Sequence, residues 1–232
     1  MSIKEQLLYE DKHILVLAKE PGQLSQPDKQ NNNNLKSDLE TYLVNSGQRK
    51  KSPFIGVIHR LDRPVGGIMV YGKTKEGTSA LNKQLQENGF KKEYLAVVKG
   101  IPTPAKGTLK HTLLKNQKLN QSTIVADTTP KGKLAHLDYE CLQTVEHPTL
   151  GSCTLVRVRL HTGRHHQIRV QLASIDCPLL GDSKYGTKDN QPIGLWSYSL
   201  RLAIPFSKEH KTFSKCPVAP PFSLFDLNKL TI

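Results

Sequence analysis

The sequence predicts an α+β protein with a mixed, mainly antiparallel sheet and flanking helices. Two observations lead to this prediction. Between residues 92 and 160, short apolar segments alternate with Pro and Gly, as expected of successive strands joined by turns. Two segments with helical spacing stand outside that series, one before it and one after it. The length of 232 residues allows one sizeable core, so we expect a single domain over residues 1–232.

The first ninety residues contribute one strand region, two loops and one helix. An apolar run over residues 7–19 predicts β structure and ends at Pro21-Gly22. The polar tract over residues 30–34 and the basic tip over residues 48–51 predict loops. The basic tip is either a solvated loop or a phosphate contact. Residues 74–88 predict a helix that ends at Gly89.

The remainder of the chain contributes most of the predicted strands and a second helix. The strands are predicted over residues 94–98, 108–114, 134–145 and 154–160. Thr162 is a candidate N-cap for a helix with Ile168, Leu172 and Ile175 on its apolar face. Basic residues crowd the first turns of this helix, which favours an anion at that end.

Charge and cysteine content limit the class of protein. Lys and Arg number 33 against 20 Asp and Glu, giving a net charge of +13, which is typical of a nucleic-acid partner. An anionic membrane would also suit this charge, but long apolar segments and a signal-peptide pattern are missing, so we expect a cytoplasmic protein with no membrane partner. The four cysteines contain no C-x-x-C pair, so we expect reduced thiols and neither a zinc site nor disulfides.

The strongest candidate for chemistry is the segment HRLDRPVGG over residues 59–67, which lies between apolar residues 54–58 and 68–71. Loops held by strands often carry catalytic groups. Asp62 lies between Arg60 and Arg63, and cationic neighbours favour an ionised carboxylate. The segment therefore predicts a nucleophile or a general base.

Three further segments accompany it: KEYLAVVKG at 92–100, LHTGRHHQIRVQLA at 160–173 and PLLGDSKYG at 178–186. Together the four resemble, in order, the HRLD motif, the K-x-Y-x-A-x-V-x-G strand, the T-G-R-x-H-Q-I/L-R-V-H-L segment and the P-I/L-L-G-D-x-x-Y-G segment of the RluA class of RNA pseudouridine synthases. The resemblance covers about residues 10–222. Many members carry an N-terminal S4-like RNA-binding domain, and this chain resembles the shorter members that lack it.

The resemblance implies a pseudouridine synthase fold with a central catalytic cleft and an activity that isomerises uridines in structured rRNA or tRNA. No metal or organic cofactor is implied, and we expect a monomer. Asp62 corresponds to the essential carboxylate, which acts either by covalent attack or by taking a ribose proton to form a glycal. Arg169 corresponds to the basic residue that pairs with that carboxylate. Tyr94 corresponds to the tyrosine that stacks on the target base.

The resemblance also implies residues that contact RNA. Arg60 corresponds to the arginine that occupies the space vacated by the flipped nucleotide. His59 is either a phosphate or nucleotide contact or a structural residue at a strand end. Arg63, Arg164 and His166 complete the predicted RNA-binding set.

The sequence departs from the family pattern at three positions. Gly66 stands where Ser is common, while Gln171 and Cys177 stand where His is common. We expect the glycine to be tolerated in a turn and the other two to alter substrate contacts.

The rival functions are an RNA-binding assembly factor without turnover and an aspartate-dependent hydrolase of nucleotides. The hydrolase is disfavoured because its usual phosphate loop and metal-ligand clusters are missing from the sequence.

Overall fold

The computed structural model describes residues 2–28, 34–48 and 52–230. The chain forms two compact units. Unit 1 comprises Met1–Lys91 and Ser197–Lys215, and unit 2 comprises Lys92–Trp196 and Cys216–Ile232.

Strands outnumber helices among the described residues. The helices are α1 Ile3–Gln6, α2 Leu35–Asn45, α3 Lys75–Gln86 and α4 Gln167–Ala173. The strands are β1 Leu7–Glu10, β2 Ile14–Lys19, β3 Gly56–Val57, β4 Gly66–Gly72, β5 Lys91–Lys99, β6 Lys106–Asn116, β7 Gln121–Val125, β8 Lys133–His147, β9 Gly151–Leu160, β10 Leu195–Ala203 and β11 His210–Ser214. Two short 3-10 turns, Phe222–Leu224 and Leu227–Lys229, follow near the C-terminus.

Unit 1 is built on a sheet in the order β1-β2-β4-β10-β11, with β3 also beside β4. Strands β1 and β2, β2 and β4, and β10 and β11 pair antiparallel. Helix α3 begins as predicted, because the Thr74 hydroxyl accepts a hydrogen bond from the Gly77 amide at 3.0 Å. The core of this unit is apolar and fully enclosed, and it includes Ile14, Val16, Ile68, Val70, Leu81, Leu200 and Leu202.

Unit 2 is built on an antiparallel sheet in the order β5-β9-β8-β6-β7. All four strands predicted between residues 94 and 160 lie within β5, β6, β8 and β9. Helix α4 packs on this sheet through Val170, which contacts Leu113 and Ala135. The α+β prediction with a mainly antiparallel sheet is therefore confirmed.

The prediction for the start of the second helix is wrong. Helix α4 begins after His166, whose backbone is left-handed with φ of 52°, and it ends before Ile175. The Thr162 hydroxyl accepts a hydrogen bond from the His136 amide at 2.8 Å and donates to Gln167 Oε1 at 2.8 Å. Thr162 therefore ties the segment to strand β8 and is not available as a cap.

The glycine pair and Gln171 also differ from expectation. Gly66 and Gly67 open the buried strand β4 and do not form a turn. Gly67 has φ of 118°, and a Cβ there would lie 2.3 Å from the Ser197 carbonyl oxygen, so only glycine fits. The Gln171 side chain is buried and donates to the carbonyls of Leu109 and Ala135, which docks α4 on the sheet.

Several loop and surface predictions fall on or near residues outside the described part. In the polar tract only Asn34 is described, and its side chain caps α2 by accepting from the Ser37 amide. In the basic tip only Gln48 is described, and its side chain accepts from Lys73 Nζ at 2.8 Å. All four cysteines are described, and they are not joined to one another in disulfides. Among the described residues, no helix is long and apolar enough to cross a membrane.

Candidate active site

The segment around Asp62 connects β3 to β4 in unit 1. The Val65 amide donates to the Asp62 carbonyl at 3.0 Å, which closes a tight turn. The side chain of Leu61 is buried, Asp62 is half-buried and Arg60 is exposed. Asp62 therefore lies between the buried core and the solvent-exposed surface of unit 1.

Lys19, the last residue of β2, supports the backbone of this segment through hydrogen bonds. Its side chain is completely buried, and Nζ donates to the carbonyls of Glu20 at 3.0 Å, Gln23 at 2.8 Å and Arg63 at 3.2 Å. Burial lowers the pKa of Lys19 to about 8, although the carboxylates of Asp62 and Glu20 act in the opposite direction. One ammonium group thus fixes the turn after β2 and the backbone next to Asp62.

Ser25 fixes the backbone on the other side of Asp62. Its hydroxyl accepts from the Leu61 amide at 3.3 Å and donates to the Leu61 carbonyl at 3.0 Å. Arg63 and Gly22 exchange two further bonds, from Gly22 N–H to the Arg63 carbonyl at 2.8 Å and from Arg63 Nε to the Gly22 carbonyl at 3.1 Å. The residues before and after Asp62 are therefore both held by buried or paired groups.

His59 is engaged by the strand that follows it. Its Nε2 accepts from the Val70 amide at 3.2 Å, and its ring meets Phe90 edge-on with centroids 6.4 Å apart. Because an amide N–H only donates, this bond requires an unprotonated Nε2. Of the two roles predicted for His59, these contacts favour the structural one.

In unit 2, Tyr94 lies in strand β5 opposite Val158 of β9. Its side chain is almost entirely buried. A residue in the middle of a paired strand has little freedom to move, so the aromatic ring is held in a fixed position.

Arg169 projects from α4 and is also buried. Its Nε and Nη2 donate to the two carboxylate oxygens of Asp182 at 2.8 and 2.7 Å, a bidentate ion pair. Burial alone would raise the pKa of Asp182, but the bonds and charge of Arg169, with the amides of Lys184 and Tyr185, outweigh it and lower that pKa. Within unit 2, the carboxylate paired with Arg169 is therefore Asp182.

Two further side chains hold the Arg169 guanidinium. Nη1 lies 3.1 Å from His166 Nε2, and the guanidinium carbon lies 5.3 Å from the centre of the Tyr185 ring. Since a guanidinium only donates, His166 Nε2 is the acceptor, and its ring proton resides on Nδ1, which lies 2.8 Å from the Tyr185 hydroxyl. Arg164, by contrast, is exposed, and its Nε donates to the Leu134 carbonyl at 2.9 Å.

The predicted residues thus fall into three places. One segment of unit 1 carries His59, Arg60, Asp62 and Arg63, one segment of unit 2 carries Arg164, His166 and Arg169, and Tyr94 lies on β5. The sequence analysis missed the supporting residues Lys19, Ser25, Asp182 and Tyr185. The last two lie in the matched segment at 178–186 and could have been found there, whereas nothing in the sequence marks Lys19 or Ser25.

Comparison with protein families gives a match to residues 13–174, more than half of the chain, and the matching family is described as RNA pseudouridylate synthase. Among curated proteins, ribosomal large subunit pseudouridine synthase D of Pseudomonas aeruginosa is 34% identical over 190 residues, covering 82% of this chain and 56% of that protein. The synthase D of Haemophilus influenzae is 34% identical over 186 residues, covering 80% and 54%. The chain therefore spans about half the length of these relatives.

Among solved structures, human RNA pseudouridylate synthase domain containing 4 superposes with a TM-score of 0.76, covering 93% of this chain and 90% of that one. A second human protein, RNA pseudouridylate synthase domain containing 1, superposes with a TM-score of 0.73. Sequence identity is 22% and 20%, so these two likenesses concern the fold.

Proposed function

Because the chain belongs to the RNA pseudouridylate synthase family, we propose that it isomerises uridine in RNA to pseudouridine. The observation that carries this proposal is the Asp62 segment, in which a half-buried carboxylate lies between backbone positions fixed by Lys19 and Ser25. The names of the relatives refer to the large ribosomal subunit, so large-subunit rRNA is the first substrate to test, and tRNA is the alternative.

In the proposed reaction Asp62 is the essential carboxylate. The bond from ribose C1′ to uracil N1 breaks, the uracil turns, and a bond from C1′ to C5 forms. N1 gains a proton and C5 loses one. Asp62 serves either as a nucleophile or as the base that removes a ribose proton, and both roles need a carboxylate held in one position.

Tyr94 and Arg169 are the other proposed catalytic residues. A buried aromatic ring on a strand paired along its length with β9 supports a role for Tyr94 in stacking on the uracil and in taking the C5 proton. The bidentate pair with Asp182 leaves Arg169 oriented and charged, which supports a role in positioning the catalytic carboxylate. Asp182 and His166 act through Arg169 and are positioning residues.

RNA contacts are proposed for the exposed arginines Arg60, Arg63 and Arg164. Arg60 is proposed to fill the space of the flipped nucleotide. His59 and His166 are each bonded to protein groups at Nε2, which supports positioning roles for both within the proposed site.

The test is tritium release from RNA labelled at uracil C5, because formation of the C1′–C5 bond expels that hydrogen. We expect release from large-subunit rRNA with the intact chain and its loss in Asp62→Asn, while RNA affinity is retained. Asp176→Asn is the matched control, since Asp176 is exposed and has φ of 59°, a backbone conformation that Asn tolerates. Release that persists in Asp62→Asn would refute the role of Asp62. RNA binding without release from rRNA or tRNA would favour the assembly-factor alternative.

A further inference from the structure

Three polar side chains with metal-ligand chemistry meet on one face of the unit 2 sheet. His136 and Asp138 are two residues apart on β8 and so project from the same face. His161 follows the last residue of β9, and its amide donates to the His136 carbonyl at 3.1 Å, which sets the two histidines side by side. None of the three belongs to the residues proposed for catalysis.

The ligand atoms of this cluster already lie close together. His161 Nε2 is 2.7 Å from Asp138 Oδ2, His136 Nε2 is 3.7 Å from Asp138 Oδ1, and one ligand atom from each residue lies within 4.8 Å of the others. The two imidazole rings are stacked with centroids 4.1 Å apart. Two ligands bound at about 2.1 Å to a tetrahedral zinc ion lie about 3.4 Å apart, so the ligand atoms are near bonding distance, but one imidazole ring must turn out of the stack before both nitrogens can point at one ion.

We propose that His136, Asp138 and His161 bind one transition-metal dication of the Zn²⁺ type. Two imidazole nitrogens and one carboxylate oxygen are preferred zinc ligands, and they leave a fourth position for water. The ion would replace the hydrogen bond between His161 and Asp138. This site is independent of the proposed isomerisation and revises the expectation that the protein binds no metal.

The surroundings of the cluster hold its ligands in place. Thr108, on the neighbouring strand β6, donates to Asp138 Oδ1 at 2.7 Å, the kind of supporting bond that orients a metal-binding carboxylate. The His136 amide is fixed by the Thr162 hydroxyl at 2.8 Å. Lys110 lies opposite His136 on β6, and its charge opposes a second cation. The affinity is therefore expected to be lower than that of a closed structural zinc site.

Binding at this position would have a mechanical consequence. Residues 161–166 lead from β9 into α4, which carries Arg169. An ion shared by His161 and the two residues of β8 would tie the start of this segment to the sheet more firmly than the present hydrogen bonds do.

The experiment is a calorimetric titration of the full chain with zinc chloride, paired with thermal unfolding. We expect one ion per chain and a midpoint of unfolding that rises with zinc concentration. His161→Gln and Asp138→Asn should each weaken zinc binding by about tenfold or more and abolish the rise. His210→Gln is the control, because His210 is an exposed histidine on β11 of unit 1 and should leave both results unchanged.

A second titration with cobalt chloride identifies the ligands. Cobalt bound by nitrogen and oxygen gives only weak visible bands, whereas thiolate ligands add an intense charge-transfer band in the near ultraviolet. The proposal is overturned if zinc does not bind stoichiometrically, if binding survives both cluster substitutions, or if the thiolate band shows that cysteines take the metal. Tritium release plays no part in these measurements, so their outcome does not depend on the proposed isomerase activity.

Discussion

The Asp62 segment of unit 1 and the Arg169 segment of unit 2 are held in contrasting ways. Around Asp62, the supporting side chains Lys19 and Ser25 bond to backbone carbonyls and amides, so the path of the chain is fixed and the carboxylate is left at its margin. Around Arg169, the support is a buried network of charged and aromatic side chains. The first arrangement controls the position of a backbone, and the second controls the charge and orientation of one guanidinium.

The largest expected effect comes from breaking the buried ion pair. Asp182→Asn removes the carboxylate that forms the bidentate pair with the buried Arg169 guanidinium, and removal of one member of such a pair costs about 3–5 kcal/mol. We expect the free energy of unfolding in urea to fall by that amount, while Asp176→Asn leaves it nearly unchanged. A loss below about 1 kcal/mol, the value typical of an exposed pair, would contradict a tightly coupled network.

The ion pair between Asp182 and Arg169 also predicts how stability changes in acid. The pKa of Asp182 is lowered in the folded protein from its ordinary value of 3.8, so the stability that it contributes is present above that value. This contribution is lost as the pH falls through the lower folded pKa. Wild type should therefore lose more stability than Asp182→Asn on acidification below 3.8, and superimposable acid profiles would argue against the shift.

A smaller effect is expected from the backbone-directed support in unit 1. Lys19→Met keeps a similar apolar volume but removes the donor to three part-buried backbone carbonyls. Losing these bonds costs about 1–3 kcal/mol, and the Arg63 carbonyl contributes least because it still accepts from the Gly22 amide. Because the Arg63 carbonyl is one of the three acceptors, we also expect a lower rate of tritium release with little change in RNA affinity. Unchanged release and unfolding energy would show that Lys19 does not support the segment.

Lys19 also predicts a dependence of stability on alkaline pH. Its pKa falls from 10.5 to about 8 on folding, so between these values the unfolded chain binds more protons than the folded chain. Stability therefore rises with pH across that window. Lys19→Met should lack this rise, and the difference in unfolding energy between wild type and variant should grow as the pH increases from about 8 to 10.5.

The sequence predicted the strands and the helix at α3 because these features depend on local patterns of apolar, turn and polar residues. It did not predict that Thr162 would bond to His136 or that Gly67 would face the Ser197 carbonyl, since both contacts join residues far apart in the chain. The ion pair at Asp182 and the histidine cluster depend on long-range pairing in the same way. Resemblance to family motifs therefore predicts the candidate site, while the contacts that support its residues became visible only in the fold.

Substitution of an exposed arginine in each segment, Arg60 in unit 1 and Arg164 in unit 2, is expected to have the smallest effects on stability. Arg60→Gln should change the free energy of unfolding by no more than about 0.5 kcal/mol, as is usual for surface substitutions. Arg164→Gln also loses the bond to the Leu134 carbonyl, so about 1 kcal/mol is expected there.

RNA affinity separates these two positions from other surface charge. Each phosphate contact that is lost should lower the salt dependence of binding, measured as the slope of log affinity against log salt, by about 0.7 to 0.9. Arg201→Gln is the control, since Arg201 is an exposed arginine on β10 that is not among the proposed contacts. Equal slopes for Arg60→Gln, Arg164→Gln and Arg201→Gln would mean that the net charge of +13 attracts RNA without these two segments making specific phosphate contacts.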